Sequence, residues 1–418
     1  MNFDVAVLGG GPAGAAAAIS LRQRGHAVVL LERTHHDDWR PGESLTPRIR
    51  DPLQTLGVWD TFNNCLTPAP AHAIHVSWGG ESHDRDAIFD AWGHGWTVDR
   101  RRFDNMLVDA AEAAGAVVRR GVPHISVQGE PGAWRLAGAT ARCVLDATGR
   151  TARVARTLGA EWRAHDRLVG IVARVHTSRE PSPILHIEAA EHGWWYSAPL
   201  PGGALVVAFM TDADQWSGDA TPFFIKNLAS STGTRERLAD HRIDGPLHVR
   251  PAGSGRLLPA AGPGWRAIGD AAATMDPLSG DGIYRALRAG ISADISSIPP
   301  AGMHQTFEQY LDTRAAHYRR EQRWPDSRFW QRRHAPIPSR TPLTLDPATS
   351  LQWHGAPPTV AEALLAPSEL ATLCALCTPN RAADVVRAFR PHAPHYRDDQ
   401  RAIVALQLLL SAGVLTAA

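Results

Sequence analysis

An apolar strand that runs straight into three glycines and an alanine-rich helix constrains this chain more than any other feature. Val5-Ala6-Val7-Leu8 lead into Gly9-Gly10-Gly11-Pro12-Ala13-Gly14, a G-x-G-x-x-G pattern at a strand–helix junction. Gly9, Gly11 and Gly14 permit a tight turn and let the helix N-terminus approach a pyrophosphate with no Cβ in the way. Pro12 and Ala13 open the helix inside the same cradle. Glu32, with Arg33 beside it, closes the next strand (Ala27–Leu31) at the position that accepts a ribose hydroxyl. The glycines alone are weak evidence. Strand, helix and acid in register imply a dinucleotide site.

A second segment, residues 269–283, specifies the dinucleotide. Asp270 follows Gly269 at the end of a strand (Trp265–Ile268) and suits a ribityl hydroxyl. Gly280 and Gly282 open a helix, with Ile283 behind them, where an isoalloxazine ring would lie. Two ends of one long ligand are thus read far apart in the chain, which points to non-covalent FAD. Non-covalent attachment is expected because no Cys or His occupies an identifiable flavinylation position.

At 418 residues the chain is long enough for two or three domains. A formal charge of +1 carries no nucleic-acid or acidic-partner signal. Four cysteines are too few and too scattered for a disulfide framework. Cys374 and Cys377 read either as a redox or metal pair or, at i, i+3 in an apolar run, as helix core; no metal site is expected. The chain enters a strand at once, with no basic and apolar leader ahead of it. The apolar tail Ala402–Ala418 is broken by Gln407, Ser411 and Gly413. A soluble, cytoplasmic protein is the expectation.

The pattern divides into a Rossmann-like α/β FAD-binding domain over 1–165 and 257–332, an inserted antiparallel β substrate domain over 166–256, a linker at 333–358 and a small helical module at 359–418. In the first part, Arg40–Pro47 is a shaped loop, Ala73–Trp78 and Ala87–Asp90 read as strands, and Val98–Asp104 opens a helix running to Ala114. The strand at Gly115–Arg119 precedes Val122, and Cys143–Leu145 ends in Asp146-Ala147-Thr148-Gly149, a turn open to close ligand approach. Short β-type runs at Leu168–Val175, Ile184–Glu188, Gly193–Ser197 and Ala204–Thr211 make the insert. Met303 to Trp330 is helical in pattern. The last module reads as helices at Val360–Leu365, Pro367–Leu376, Ala382–Phe389 and Asp399–Leu410.

This order resembles the flavin monooxygenases built like para-hydroxybenzoate hydroxylase, over roughly residues 1–325. Gly9, Gly11, Gly14 and Glu32 match the ADP motif, Asp146–Gly149 the middle motif, and Gly269, Asp270, Pro277, Gly280 and Gly282 the ribityl and flavin motif. Arg100 matches the arginine that this family uses near FAD. Gly42-Glu43-Ser44-Leu45-Thr46-Pro47 resembles the flavin-clasping loop of the tryptophan halogenase branch, and Gly193–Pro201 the sheet facing the flavin there. Halogenation needs a lysine a few dozen residues after that loop. Lys226 is the only lysine in the chain, and arginine is no substitute because it stays protonated. The W-x-W-x-I-P signature is absent as well. The chain is most similar to the halogenase-like flavoproteins that build tryptophylquinone cofactors, in quinohemoprotein amine dehydrogenase and in the lysine and glycine oxidases.

That resemblance implies an FAD-dependent monooxygenase of the flavin C4a-hydroperoxide type that hydroxylates a tryptophan within a polypeptide, with molecular oxygen, and with NAD(P)H or a separate reductase supplying electrons. The cofactor carries the hard chemistry, and the protein binds it, excludes water and holds the indole. Pro277 and Gly280 would sit over the flavin. Trp194 and Tyr196 share one strand face and Trp195 takes the other, so either face lines an aromatic cavity or is ordinary core. His186 and Glu188 are candidates to deprotonate the indole, or are structural. The last module suits docking of a polypeptide, with other maturation proteins as candidate partners, or capping of the site. It does not suit DNA, since Gln400–Leu410 offers only Arg401. No membrane partner is implied. Two competing functions remain: a hydroxylase or reductase of a small aromatic or polyketide, and a non-catalytic flavin-bearing chaperone.

Overall fold

The computed structural model describes residues 2–87, 90–123, 126–176, 181–239, 242–294, 303–334, 350–353, 375–376, 380–389 and 415–417. The chain forms two units, Met1–Pro299 with Asp312–His334, and Pro300–Leu311 with Ala335–Ala418.

The first unit is built on a seven-stranded sheet. Val117–Arg119, Val28–Leu31, Asn2–Leu8, Ala139–Asp146 and Trp265–Ala267 run parallel, with short antiparallel strands at Ala261–Gly262 and Trp134–Leu136. Val28–Leu31 is buried at every position, as a strand covered on both faces must be. Helices Pro12–Gln23 and Arg100–Ala113 pack on one side of it, and their alanines and leucines join the main core.

A second seven-stranded sheet has the order Arg242–Pro251, Leu168–His176, Ala204–Asp212, Gly193–Leu200, Ile184–Ala190, Ala73–Trp78 and Glu81–Asp86. It reaches beyond the expected insert and is not wholly antiparallel, since Ile184–Ala190 pairs in parallel with Ala73–Trp78. The middle of the strand expected at Ala87–Asp90, residues 88–89, lies outside the described residues, and a strand runs at Glu81–Asp86. Its sequence, Glu-Ser-His-Asp-Arg-Asp, is wholly polar because it is a sheet edge, so no apolar alternation marks it. Strand alternation gives the sheet two different faces. Leu168, Val172, Trp194, Ala198 and Tyr196 pack on one side with Tyr318, Phe329 and Trp330. Ile171, Ala173, Val175, Trp195, Val207 and Phe209 pack on the other against Phe224 of helix Thr221–Ser230.

The helical pattern from Met303 to Trp330 is two helices, Met303–Tyr318 and Arg328–His334. The turn between them carries Pro325, which cannot continue a helix. Arg328–His334 therefore extends into the expected linker, which also contains the strand Ser350–Trp353. In the second unit that strand pairs with Asn380–Arg381 and Leu415–Ala417, beside helix Ala382–Phe389. The helices expected at Val360–Leu365 and Asp399–Leu410, most of Pro367–Leu376, and the Cys374–Cys377 pair lie outside the described residues.

One buried hydroxyl ties the second sheet to the segment 276–282. Trp194 Nε1 donates to Tyr318 Oη at 3.0 Å, and Tyr318 Oη donates to Asp276 Oδ2 at 2.7 Å. All three residues are almost fully buried. Tyr318→Phe strips the indole N–H of its acceptor and the carboxylate of a donor. It should destabilise the protein by about 2–4 kcal/mol, read as a lowered urea midpoint at unchanged slope. A loss below about 0.5 kcal/mol would mean that water replaces the hydroxyl.

Candidate functional site

Three motifs distant in sequence meet at the start of helix Pro12–Gln23. Gly9 has φ +108°, and a side chain there would run into the carbonyl of Ala147 in the middle motif. A Cβ on Gly14 would strike the Gly9 carbonyl, and one on Gly269 would lie 2.7 Å from the Ala13 Cβ. Helix Gly282–Ile291 crosses the first helix so closely that Gly290 has no room for a side chain against Ala13 and Ala16. Those glycines exist for protein packing. Gly11 differs: its φ is −70° and a Cβ there would meet no atom within 4 Å. Its lack of a side chain serves nothing inside the fold and fits a pyrophosphate at this helix N-terminus.

Glu32 is 7% exposed and holds its turn through hydrogen bonds. Its carboxylate accepts from Gly10 N at 2.6 Å and from Thr34 N and Oγ1 at 2.8 Å. His36 Nε2 stands 3.7 Å away. Burial pushes the Glu32 pKa up, but His36, the Gly10 amide and Thr34 outweigh it and bring it down to about 2. An ionised acceptor at this point suits a ribose hydroxyl. Val122 lies alongside, its amide bonded to the Glu32 carbonyl, and Arg33 is exposed.

The Asp146 carboxylate is committed to its own turn. One carboxylate oxygen accepts from Thr148 N and Oγ1 and the other from Ala155 N, so it shapes the turn that presents Ala147, Thr148 and Gly149. Asp270 is 40% exposed, and Arg150 Nε is 3.7 Å from it. Pro277, Gly280 and Gly282 are exposed, with Ile283 buried behind them. Asp276 caps this segment by accepting from Leu278 N, and Arg314 Nε reaches it at 3.1 Å.

The clasp loop closes over the same region. Ser44–Leu45 pairs with Gly95–Thr97, and Thr46 adjoins Gly280, whose Cβ would sit 3.9 Å from Thr46 Cγ2. Arg100 donates Nε and Nη2 to Asp104 and Nη1 to the carbonyls of Pro41 and Gly42, so it fastens the loop to its helix. Burial pushes the Arg100 pKa down, but Asp104, Glu43 and Asp270 raise it overall. Gly42 has φ +100°, and Glu43 is buried.

The six residues proposed for chemistry do not come together. Pro277, Gly280 and Tyr196 share the clasp-loop side. Tyr196 is half-buried and hydrogen-bonded to Ser44, and burial and the Glu43 carboxyl hold its hydroxyl well above the usual tyrosine range. Trp194, on the same sheet face, is core: it is 1% exposed and its N–H is spent on Tyr318. His186 and Glu188 pair with Ser197 and Trp195 and so occupy the opposite face. Glu188 accepts from Thr232 N, Gly233 N, Thr234 N and Thr234 Oγ1, which makes it the anchor of the Gly233–Arg237 turn. Burial drives the pKa of His186 down to about 4. Neither can reach an indole on the Tyr196 side. Sequence reasoning missed Asp276, Asp104 and Tyr318. Asp276 before Pro277 is a readable capping signal, and Asp104 lies one helical turn after Arg100. Tyr318 carries no local signal.

A family model described as an FAD binding domain matches residues 2–288. The chain belongs to that family. It is 30% identical over 366 residues to LodB of Marinomonas mediterranea, assigned as an FAD-dependent oxidoreductase, covering 80% of this chain and 97% of that protein. Flavin-dependent halogenase armH3 of Armillaria mellea is 26% identical over 340 residues, 70% of this chain and 66% of that one. Among solved structures, the halogenase CmlS aligns with TM-score 0.70 at 20% identity, covering 100% and 96% of the two chains. The peptidyl tryptophan dihydroxylase QhpG, essential for tryptophylquinone cofactor biogenesis, aligns with TM-score 0.65 at 23% identity, covering 99% and 100%. The expected fold class and halogenase-like kinship stand, and the protein is an FAD-dependent oxidoreductase. Among the described residues no helix is long and apolar enough to cross a membrane.

Gly11→Val should leave folding and the thermal midpoint unchanged while weakening FAD binding roughly 10- to 100-fold, from an overpacking cost of about 1–3 kcal/mol. Gly14→Val, which collides with backbone, should fail to accumulate as folded protein. Flavin absorbance per folded chain distinguishes the two. Full flavin content in Gly11→Val would place the pyrophosphate elsewhere.

Proposed function

We propose that this protein is an FAD-dependent monooxygenase that hydroxylates a tryptophan residue within a polypeptide. One observation carries the choice over halogenation. The only lysine, Lys226, is exposed on helix Thr221–Ser230, which packs on the sheet face opposite Tyr196. No amine is therefore available beside the clasp loop to carry or orient an oxidised halide, and arginine does not form that adduct. The likeness to QhpG, a peptidyl tryptophan dihydroxylase, supports a polypeptide substrate over a small phenol.

In this reading Gly11 and the first helix N-terminus hold the pyrophosphate, Glu32 the ribose and Asp270 the ribityl chain. Bound FAD supplies the activation of oxygen. The chain's own residues do the rest. Arg100 keeps the clasp loop down by holding the Pro41 and Gly42 carbonyls, which excludes water. Asp276, fixed by Tyr318 and Arg314, holds Pro277–Gly280 in one shape. Tyr196 offers an aromatic wall and a protonated hydroxyl where the substrate ring would enter. A polypeptide contributes binding energy from contacts remote from its indole, and that energy helps to position the ring.

The test is turnover with reduced flavin and oxygen on a candidate partner polypeptide, followed by mass spectrometry. A gain of oxygen on a tryptophan of the polypeptide is expected, with no change in product when bromide is added. A brominated product would overturn the monooxygenase assignment. Equal hydroxylation of free tryptophan or a small phenol would shift the reading to a small-molecule hydroxylase.

A further inference from the structure

The clasp loop contains a buried acid to which the reading above gives no task. Glu43 is 2% exposed. Its Oε2 accepts from the Gly42 amide at 2.8 Å, whereas its Oε1 is buried with no hydrogen-bond partner. The nearby guanidinium does not pair with it, because Arg100 is spent on Asp104 and on two loop carbonyls. Thr97 Oγ1, on the strand paired with the clasp loop, is also buried and unpartnered.

Other groups fix where this acid lies. Arg100 feels the charges of both Glu43 and Asp270, so the clasp acid and the ribityl motif flank one guanidinium. Tyr196 approaches from the second sheet, bonded to Ser44 and facing Glu43. Asp99 and Arg100 face Glu43 from the helix N-terminus. A carboxylate buried without a counter-ion or full hydrogen bonding is better off neutral. Burial accordingly pushes Glu43 up to about 7, against the pull of its own amide, the Gly42 amide and Arg100.

We propose that Glu43 is a neutral acid that donates its proton to a hydrogen-bond acceptor of the bound cofactor, so that FAD capture is coupled to protonation of this one carboxyl. The inference rests on the clasp loop bordering the FAD site. Below pH 7 Glu43 carries its proton and the orphaned oxygen becomes a donor. Above pH 7 the proton leaves, and a buried anion beside an anionic cofactor opposes binding.

The measurement is FAD affinity of the full chain freed of flavin, by fluorescence quenching from pH 6 to 9, with proton uptake on mixing followed by an indicator dye in weak buffer. Wild-type Kd should be flat below pH 7 and rise towards about tenfold per pH unit above it, with proton uptake near pH 8. Glu43→Gln keeps a neutral donor of the same shape, so it should bind tightly at every pH and take up no proton. Glu43→Ala should bind more weakly, without pH dependence. A flat wild-type profile would overturn the coupling alone. So would Glu43→Gln retaining the wild-type slope, or a folded Glu43→Gln that fails to bind FAD. If wild-type protein bound no FAD at any pH, the FAD site and the coupling would fall together.

Discussion

The close approach of two backbones at Ala13 and Gly14 governs the rest of this molecule. Gly9 and Ala147 come from two parallel strands, Gly269 from the end of a third, and Gly290 from the helix after it, and all press on the first turn of Pro12–Gln23. Any Cβ at Gly9, Gly14, Gly269 or Gly290 would push these segments apart. The ADP, middle and flavin motifs therefore form one surface only because glycine recurs where they touch. Gly11, in the ADP motif, is spared this packing duty, since a Cβ there would meet nothing within 4 Å, and so it reports on ligand.

A second constraint couples the two sheets. Asp276 receives the Leu278 amide, the Tyr318 hydroxyl and the Arg314 guanidinium, and Arg314 also reaches Asp166 at 2.9 Å, just before the second sheet begins. Burying a carboxylate is costly unless it is fully paired, and here the pairing comes from its own turn and from one helix, Met303–Tyr318, which supplies both Arg314 and Tyr318. The cost is offset by rigidity: the segment over which a flavin would lie cannot shift without breaking contacts to the second sheet's aromatic core. Trp194 belongs to this arrangement. Its indole is a buttress for the site, which explains why an aromatic at the right strand position is not itself exposed to substrate.

Much of the site was legible because its chemistry depends on local backbone geometry. Gly9–Gly14, Glu32 and Gly269–Gly282 announce themselves, since a tight turn or a close approach restricts the residue type at a fixed spacing. The second sheet was legible along its buried strands, where Leu168–His176 and Ala204–Asp212 carry apolar runs. It was not legible at its edges, where Glu81–Asp86 has no core to face and Arg242–Pro251 is interrupted by Gly245 and Pro246. The pairing of His186 and Glu188 with the aromatic face failed for a different reason. Alternation along one strand is readable, but which face of a neighbouring strand matches it depends on register, and the register His186↔Ser197 is set by the whole sheet. Tyr318 was invisible for the same reason: its role exists only between Trp194 and Asp276.

The two charged clusters of the clasp region show how the same acid chemistry yields opposite states. Asp104 is fully buried yet meets a bidentate guanidinium, and Arg40 Nη1 stands 3.7 Å from it as well. Glu43 is equally buried, one loop away, and finds only backbone amides, its own and that of Gly42. The guanidinium that would neutralise it is already committed to Asp104 and to holding the loop closed. Spending Arg100 on the loop therefore leaves Glu43 without a paired counter-ion, and burial pushes its pKa up to about 7. Moving the arginine to Glu43 would free the loop, and adding a second cation would ionise the acid. Holding the clasp shut and keeping its acid neutral are thus two consequences of a single placement of charge.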